Sequence, residues 1–187
     1  MAMTVAVGLL RGVNVGGKNK IRMEALRALG ESLGFEAPRT FIQSGNLVFR
    51  TKARDLRELA PRLEKAIESG HGFRPAVVLR TLAQMRSVVA RNPFGGREDI
   101  DPARLLVLFL ADQPTAATRR RVLAMKTDPE ELRLDGREMF IYFPLGMGRA
   151  KLPVARIEKT LGTNGTGRNW NTVLKLVEIA ERMAEGG

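Results

Sequence analysis

The segment TFIQSGNLVF, Thr40 to Phe49, constrains the fold of this chain more than any other. Two short apolar runs flank Gly45-Asn46, a favoured two-residue turn, so the segment predicts a β-hairpin. A hairpin makes its strands antiparallel neighbours, whereas parallel neighbours need a long crossover. The surrounding pattern extends this unit. Val5–Leu10 is apolar on both faces and reads as a strand. Met23, Leu26, Leu29 and Leu33 follow at helical spacing, with Gly34 as a stop. Leu56, Leu59, Leu63 and Ile67 mark a second helix ending at Gly70, and Ala76–Leu79 a fourth strand. The order β-α-β-β-α-β is that of the ferredoxin-like unit.

After Thr81, a candidate N-cap, LAQMRSVVA reads as a helix, and NPFGGREDIDP as a connecting loop. A strand over Arg104–Leu110 and a helix over Thr115–Met125 then repeat the opening order. A hairpin is expected at Asp135-Gly136, with MFIYF as its second strand. Helices over Pro153–Leu161 and Trp170–Met183 close the chain. The predicted fold is α+β with two related halves. The N-terminal half is a ferredoxin-like βαββαβ unit, and the C-terminal half is a βαββα-type unit with an extra terminal helix. Expected boundaries are 1–80 for the first half, 81–103 for the helix and connection, and 104–187 for the second half.

GVNVGGKN, Gly12 to Asn19, follows the first strand and matches all but the last position of the P-loop pattern G-x-x-x-x-G-K-[ST]. Asn19 stands where a hydroxyl would ligate Mg²⁺. A P-loop also belongs on a parallel sheet, with its helix starting at the GK[ST] itself. Here the next strands form a hairpin and the helical spacing begins near Arg22-Met23, so Walker-type chemistry is not expected.

Composition removes further classes. The 187 residues include no cysteine and one histidine, His71. Thiolate chemistry and a multi-histidine metal site are excluded, and no G-x-S-x-G elbow is present. No cofactor or metal is expected. In SGHGF the histidine reads as a solvated loop residue. The opening MAMTVAVGLL lacks a cationic n-region and a small-residue cleavage site, and no apolar run is long enough for a bilayer. A cytoplasmic protein without membrane contact is expected. The net charge of +11 favours phosphates or nucleic acid as partners. The cations are mostly Arg and are spread along the chain, which composition alone also explains.

The segments LLRGVNVGGKNKIRMEALRALGESLGFEAPRTFIQSGNLVF, YFPLGMGRAKL and TGRNWNTVLKLVEI resemble the bacterial family catalogued as domain of unknown function 1697. The resemblance spans almost the whole chain. It implies an α+β fold with two ferredoxin-like-related halves and names no reaction. One departure is Ala150 before Lys151, where family members often carry Ser.

In the predicted topology the Gly12–Lys20 loop, the Ser44–Asn46 turn and the His71–Arg74 loop share one end of a sheet. This directs Asn14, Lys18, Lys20, Ser44 and Asn46 towards one cleft. Gly16, Gly17 and Gly45 permit close approach and positive-φ turns. PLGMGRAKLP brings Lys151, and GTNGTGRNWN brings Arg168 and Asn169, in front of predicted helices. An anion there would offset the clash between cation and helix dipole. The leading expectation is a phosphate-bearing ligand, nucleotide or nucleic acid. Arg11, Lys18, Lys20, Lys151 and Arg168 would supply charge, and Asn14, Ser44, Asn46 and Asn169 hydrogen bonds. Two alternatives stand beside it: a metal-independent enzyme on a small phosphorylated or carboxylated substrate, with Lys18 or Lys151 as acid–base, and a scaffold or partner-binding protein. Trp170 and Tyr142 read as core residues, and Asn169 or Asn171 as a cap for the last helix.

Overall fold

The computed structural model describes residues 3–53 and 55–186. It is an α+β structure with two four-stranded antiparallel sheets and six α-helices among the described residues. The chain divides into two compact units, residues 1–87 with 175–187, and residues 88–174.

In the first unit β1 (Thr4–Leu10) is followed by α1 (Met23–Ser32), β2 (Glu36–Phe41), β3 (Asn46–Thr51), α2 (Leu59–His71) and β4 (Val77–Thr81). The sheet order is β2-β3-β1-β4, with every pairing antiparallel. The two helices cover one face. Leu26 and Met23 of α1, and Leu63 and Ile67 of α2, pack with Ala6, Leu10, Leu47 and Phe49 of the sheet. These are the positions that the helical and alternating periodicities select. The Phe35 and Phe49 rings stack at 3.9 Å between centroids and 8° between planes.

In the second unit β5 (Leu105–Leu110) leads to α4 (Ala116–Leu123), β6 (Glu131–Asp135), β7 (Glu138–Tyr142), α5 (Val154–Leu161) and β8 (Gly165–Asn169). The order β6-β7-β5-β8 repeats that of the first sheet. The core joins Leu106, Leu108 and Leu110 to Val122, Ile157 and Leu161. α3 (Leu82–Ala90) carries the chain out of the first unit, and α6 (Trp170–Glu185) carries it back. Thr81 and Gln84 form a reciprocal capping box at the start of α3. Tyr142 is buried in β7 and its hydroxyl donates to the Asp99 carbonyl at 3.0 Å, while Trp170 is buried against Phe140.

Four local expectations are corrected. The second unit ends in a strand, β8, so it is βαββαβ in order and not βαββα. GTGRN carries turn-forming residues, but its glycines serve close packing. A Cβ on Gly165 would lie 3.1 Å from the Phe109 carbonyl oxygen, and one on Gly167 would lie 3.2 Å from Leu106 Cδ1. The first hairpin turns through four residues, Ile42–Gly45, because Phe41 pairs with Asn46. Asn46 is the first residue of β3 and fully buried. The second hairpin turns at Gly136-Arg137, since Asp135 pairs with Glu138. α2 runs through Gly70 to His71, and Gly72, at φ 75°, is the left-handed C-cap.

Candidate functional site

Three hydrogen bonds gather the loops at one end of the first sheet. The Leu10 N–H donates to the Gly45 carbonyl at 2.9 Å, and the Arg11 N–H to the Ala76 carbonyl at 2.9 Å. The Asn14 side chain then donates to the Gln43 carbonyl at 2.8 Å. The loop after β1, the turn after β2 and the segment before β4 are therefore neighbours.

The β1–α1 loop closes on itself. The Asn14 N–H bonds the Asn19 carbonyl, and the Lys18 N–H bonds the Val15 carbonyl, both at 3.1 Å. Asn14 and Asn19 adopt positive φ, a conformation asparagine tolerates better than most residues. Gly16 and Gly17 form the tip at φ 58° and 76°, with open space around both. Asn14 also donates to the Ile21 carbonyl and accepts from the Ile21 N–H, each at 2.9 Å.

Beside this loop lies a cleft of about 670 Å³, lined by Asn14, Gly17, Lys20, Ile21, Arg22, Ala25, Gln43 and His71. Ile21 is its buried apolar wall, while Lys20, Arg22 and His71 are exposed. No carboxylate lines it. Lys18 and Lys20 form no ion pair among the described residues. Arg22 is the N-cap of α1, and its side chain makes no capping hydrogen bond. Glu24 in the first turn has its carboxyl held below the ordinary range, chiefly by a hydrogen bond from its own backbone and also by the nearby Arg27.

Of the residues expected here, Asn14, Gly17 and Lys20 line the cleft. Arg11, Gly16 and Lys18 lie exposed on the same loop without lining it. Ser44, Gly45 and Asn46 serve the hairpin: Asn46 Nδ2 bonds the Phe41 carbonyl at 2.9 Å and Ser44 Oγ at 3.0 Å. The sequence reading omitted Ile21, Arg22, Ala25 and Gln43, and it placed His71 in a solvated loop. The helical spacing that starts at Met23 marks Arg22 as the residue before the helix. Gly72 rather than Gly70 as the left-handed cap carries α2 on to His71.

The other expected residues belong to the second unit. Lys151 is exposed, and its N–H donates to Glu130 Oε1 at 2.8 Å. Arg168 is not in a loop: it is buried in β8, donating to Thr166 Oγ1 at 2.7 Å and to the Gly167 carbonyl at 2.8 Å. Burial pushes its guanidinium down to about 10. Asn169 caps α6, its Oδ1 accepting from the Asn171 N–H at 2.9 Å, and its Nδ2 donates to the Ala103 carbonyl at 2.8 Å.

No helix among the described residues is long and apolar enough to cross a membrane. Among solved structures, the conserved bacterial protein SP0830 from Streptococcus pneumoniae is similar, with 26% sequence identity and a TM-score of 0.74. The match covers 96% of this chain and 99% of that one. No curated protein matches the sequence. The family model described as protein of unknown function (DUF1697) matches residues 3–140, most of the chain, including the glycine loop and every residue that lines the cleft, and the chain belongs to that family.

Proposed function

We propose that the cleft of the first unit binds a small ligand through a phosphate group. The observation that carries this reading is the lining itself: Lys20, Arg22 and His71 gather around one concavity that no carboxylate shares. The cleft lies at the start of α1, whose N-cap residue Arg22 makes no side-chain capping bond, and where backbone N–H groups and the helix dipole favour negative charge. The exposed glycine tip, Gly16-Gly17, gives an anion close access to the backbone. A volume of about 670 Å³ falls in the range of small-molecule sites, so a nucleotide-sized ligand is favoured over a nucleic-acid strand. Asn14 acts by holding the loop, since its side chain already bonds Ile21 and Gln43. Lys18, at the loop tip, adds long-range attraction.

We also read each unit as ferredoxin-like. The support is the repeated strand order, β2-β3-β1-β4 and β6-β7-β5-β8, built from the same β-α-β-β-α-β sequence of elements.

Calorimetric titration with inorganic pyrophosphate and with a nucleoside diphosphate tests the binding reading. Lys20→Ala and Arg22→Ala should each weaken binding about ten- to a hundred-fold, the effect of losing one charge-assisted contact of about 1.5–3 kcal/mol. Arg168→Ala probes the other unit and should leave affinity unchanged once its fold is verified. Unchanged affinity in both cleft variants, with the fold intact, would refute the site.

A further inference from the structure

We propose, on the phosphate reading of the first unit's cleft, that His71 takes up a proton when the phosphate binds, so that binding tightens as pH falls. His71 is the only histidine in the chain, and it lines the cleft together with Lys20 and Arg22. Histidine is the side chain whose ordinary titration lies within about pH 5 to 8. It is also the last residue of α2, and the negative end of a helix dipole favours a cation.

The other charged groups nearby decide the sign. Lys20 and Arg22 share the lining with His71, and no carboxylate does. The carboxylates of the surrounding elements are engaged. Glu68, one turn before His71 in α2, pairs with Arg74 at 3.6 Å, and Glu64 pairs with the same arginine at 3.3 Å. Glu24 of α1 pairs with Arg27 at 3.4 Å. The Phe73 ring, 6.5 Å from the imidazole between centroids, carries no charge. A phosphate in the cleft therefore brings the anion that this lining lacks. It attracts an imidazolium and offsets the repulsion from Lys20 and Arg22. The complex then holds more protons than its separated components. By linkage, affinity rises as pH falls through the histidine range and levels off on either side of it.

Proton NMR on the full chain tests the proposal, because a single histidine gives one set of imidazole signals. With saturating inorganic pyrophosphate, the titration midpoint of those signals should move to higher pH. His71→Gln removes the proton at an exposed position and keeps a good helix former at the end of α2. Calorimetry with pyrophosphate compares this variant with wild type at about pH 6 and about pH 8, and the probe's own ionisation cancels in the ratio. Wild type should bind about tenfold more tightly than the variant at the lower pH, and within about twofold of it at the higher. His71→Lys, whose charge is fixed across this range, should bind more tightly than wild type at the higher pH. A ratio that is the same at both pH values, or imidazole signals that ignore pyrophosphate, would overturn the proposal. If Lys20→Ala weakens binding and His71→Gln does not at either pH, the phosphate reading stands without the proton. If pyrophosphate binding ignores Lys20→Ala and Arg22→Ala as well, the phosphate reading falls and this proposal falls with it.

Discussion

Asn14 Nδ2 donates to the Gln43 carbonyl at 2.8 Å, joining two loops that lie 29 residues apart in sequence. The same side chain bonds both backbone groups of Ile21. One asparagine therefore fixes the glycine loop against the hairpin and against the start of α1. Its amide is committed to protein, so its influence on a ligand runs through geometry.

Asn14→Ala should cost about 2–4 kcal/mol in urea unfolding. It removes three hydrogen bonds, leaves the Ile21 N–H without its acceptor, and forces alanine to φ 57°. Asn14→Gly restores the conformational freedom and none of the bonds, so it should recover part of the loss. Equal stability of both variants and wild type would show that the loop is held by something else.

Gly45 and Gly16 both have positive φ and should respond differently to alanine. A Cβ on Gly45 would sit 2.9 Å from Leu10 Cβ and 3.2 Å from Val13 Cβ, in a buried position. Gly16 has nothing within 4 Å. Gly16→Ala should therefore cost about 1–2 kcal/mol, the left-handed strain alone. Gly45→Ala adds overpacking of about 1–3 kcal/mol. Denaturant midpoints of the two variants decide this, and equal losses would contradict the packing at Gly45.

The α+β class and the antiparallel hairpins were legible because long apolar runs and helical spacings dominate those segments. The failures share a cause. Gly165 and Gly167 read as turn residues locally, yet in β8 they make room for Leu106, Leu108 and Leu110 of β5. That is a tertiary demand, and residue identity alone cannot express it. Asn46 misled in the same way: it carries a turn signal but lies buried at the head of β3. In the cleft, the glycines and Lys20 were visible from spacing along one loop. Gln43 and His71 come from two other segments, and only the sheet order brings them in.

The near-match to a P-loop yields a negative expectation. Asn19 Nδ2 donates to the Gly12 carbonyl at 3.1 Å, closing the loop instead of facing a phosphate. β1 is antiparallel to both neighbours, and α1 begins at Met23, four residues beyond Asn19. Asn19→Ser should not create Mg²⁺-dependent hydrolysis of ATP or GTP. It should instead loosen the loop, at about 1 kcal/mol for the lost bond. Turnover that appears with Asn19→Ser and vanishes with Lys18→Ala would overturn this reading of the loop.

The net charge of +11 raises a competing partner, nucleic acid, and salt dependence separates the two. A strand bound across a basic face releases one counterion for each neutralised phosphate, so log affinity falls with log salt at a slope of about −0.7 per contact on single strands. A nucleotide in the cleft meets few cations, Lys20 and Arg22 foremost, and should show a shallow slope of about −1 to −2. Lys20→Ala should lower affinity for the nucleotide at every salt concentration. Substitutions of exposed arginines of the second unit, such as Arg119 and Arg120 of α4, should leave nucleotide affinity unchanged and alter only binding to an oligonucleotide. Titrations of a nucleoside diphosphate and a single-stranded oligonucleotide at two salt concentrations read both slopes. A steep slope for the oligonucleotide, tighter binding than the nucleotide at the higher salt, and indifference to Lys20→Ala would move the function from the cleft to the basic surface.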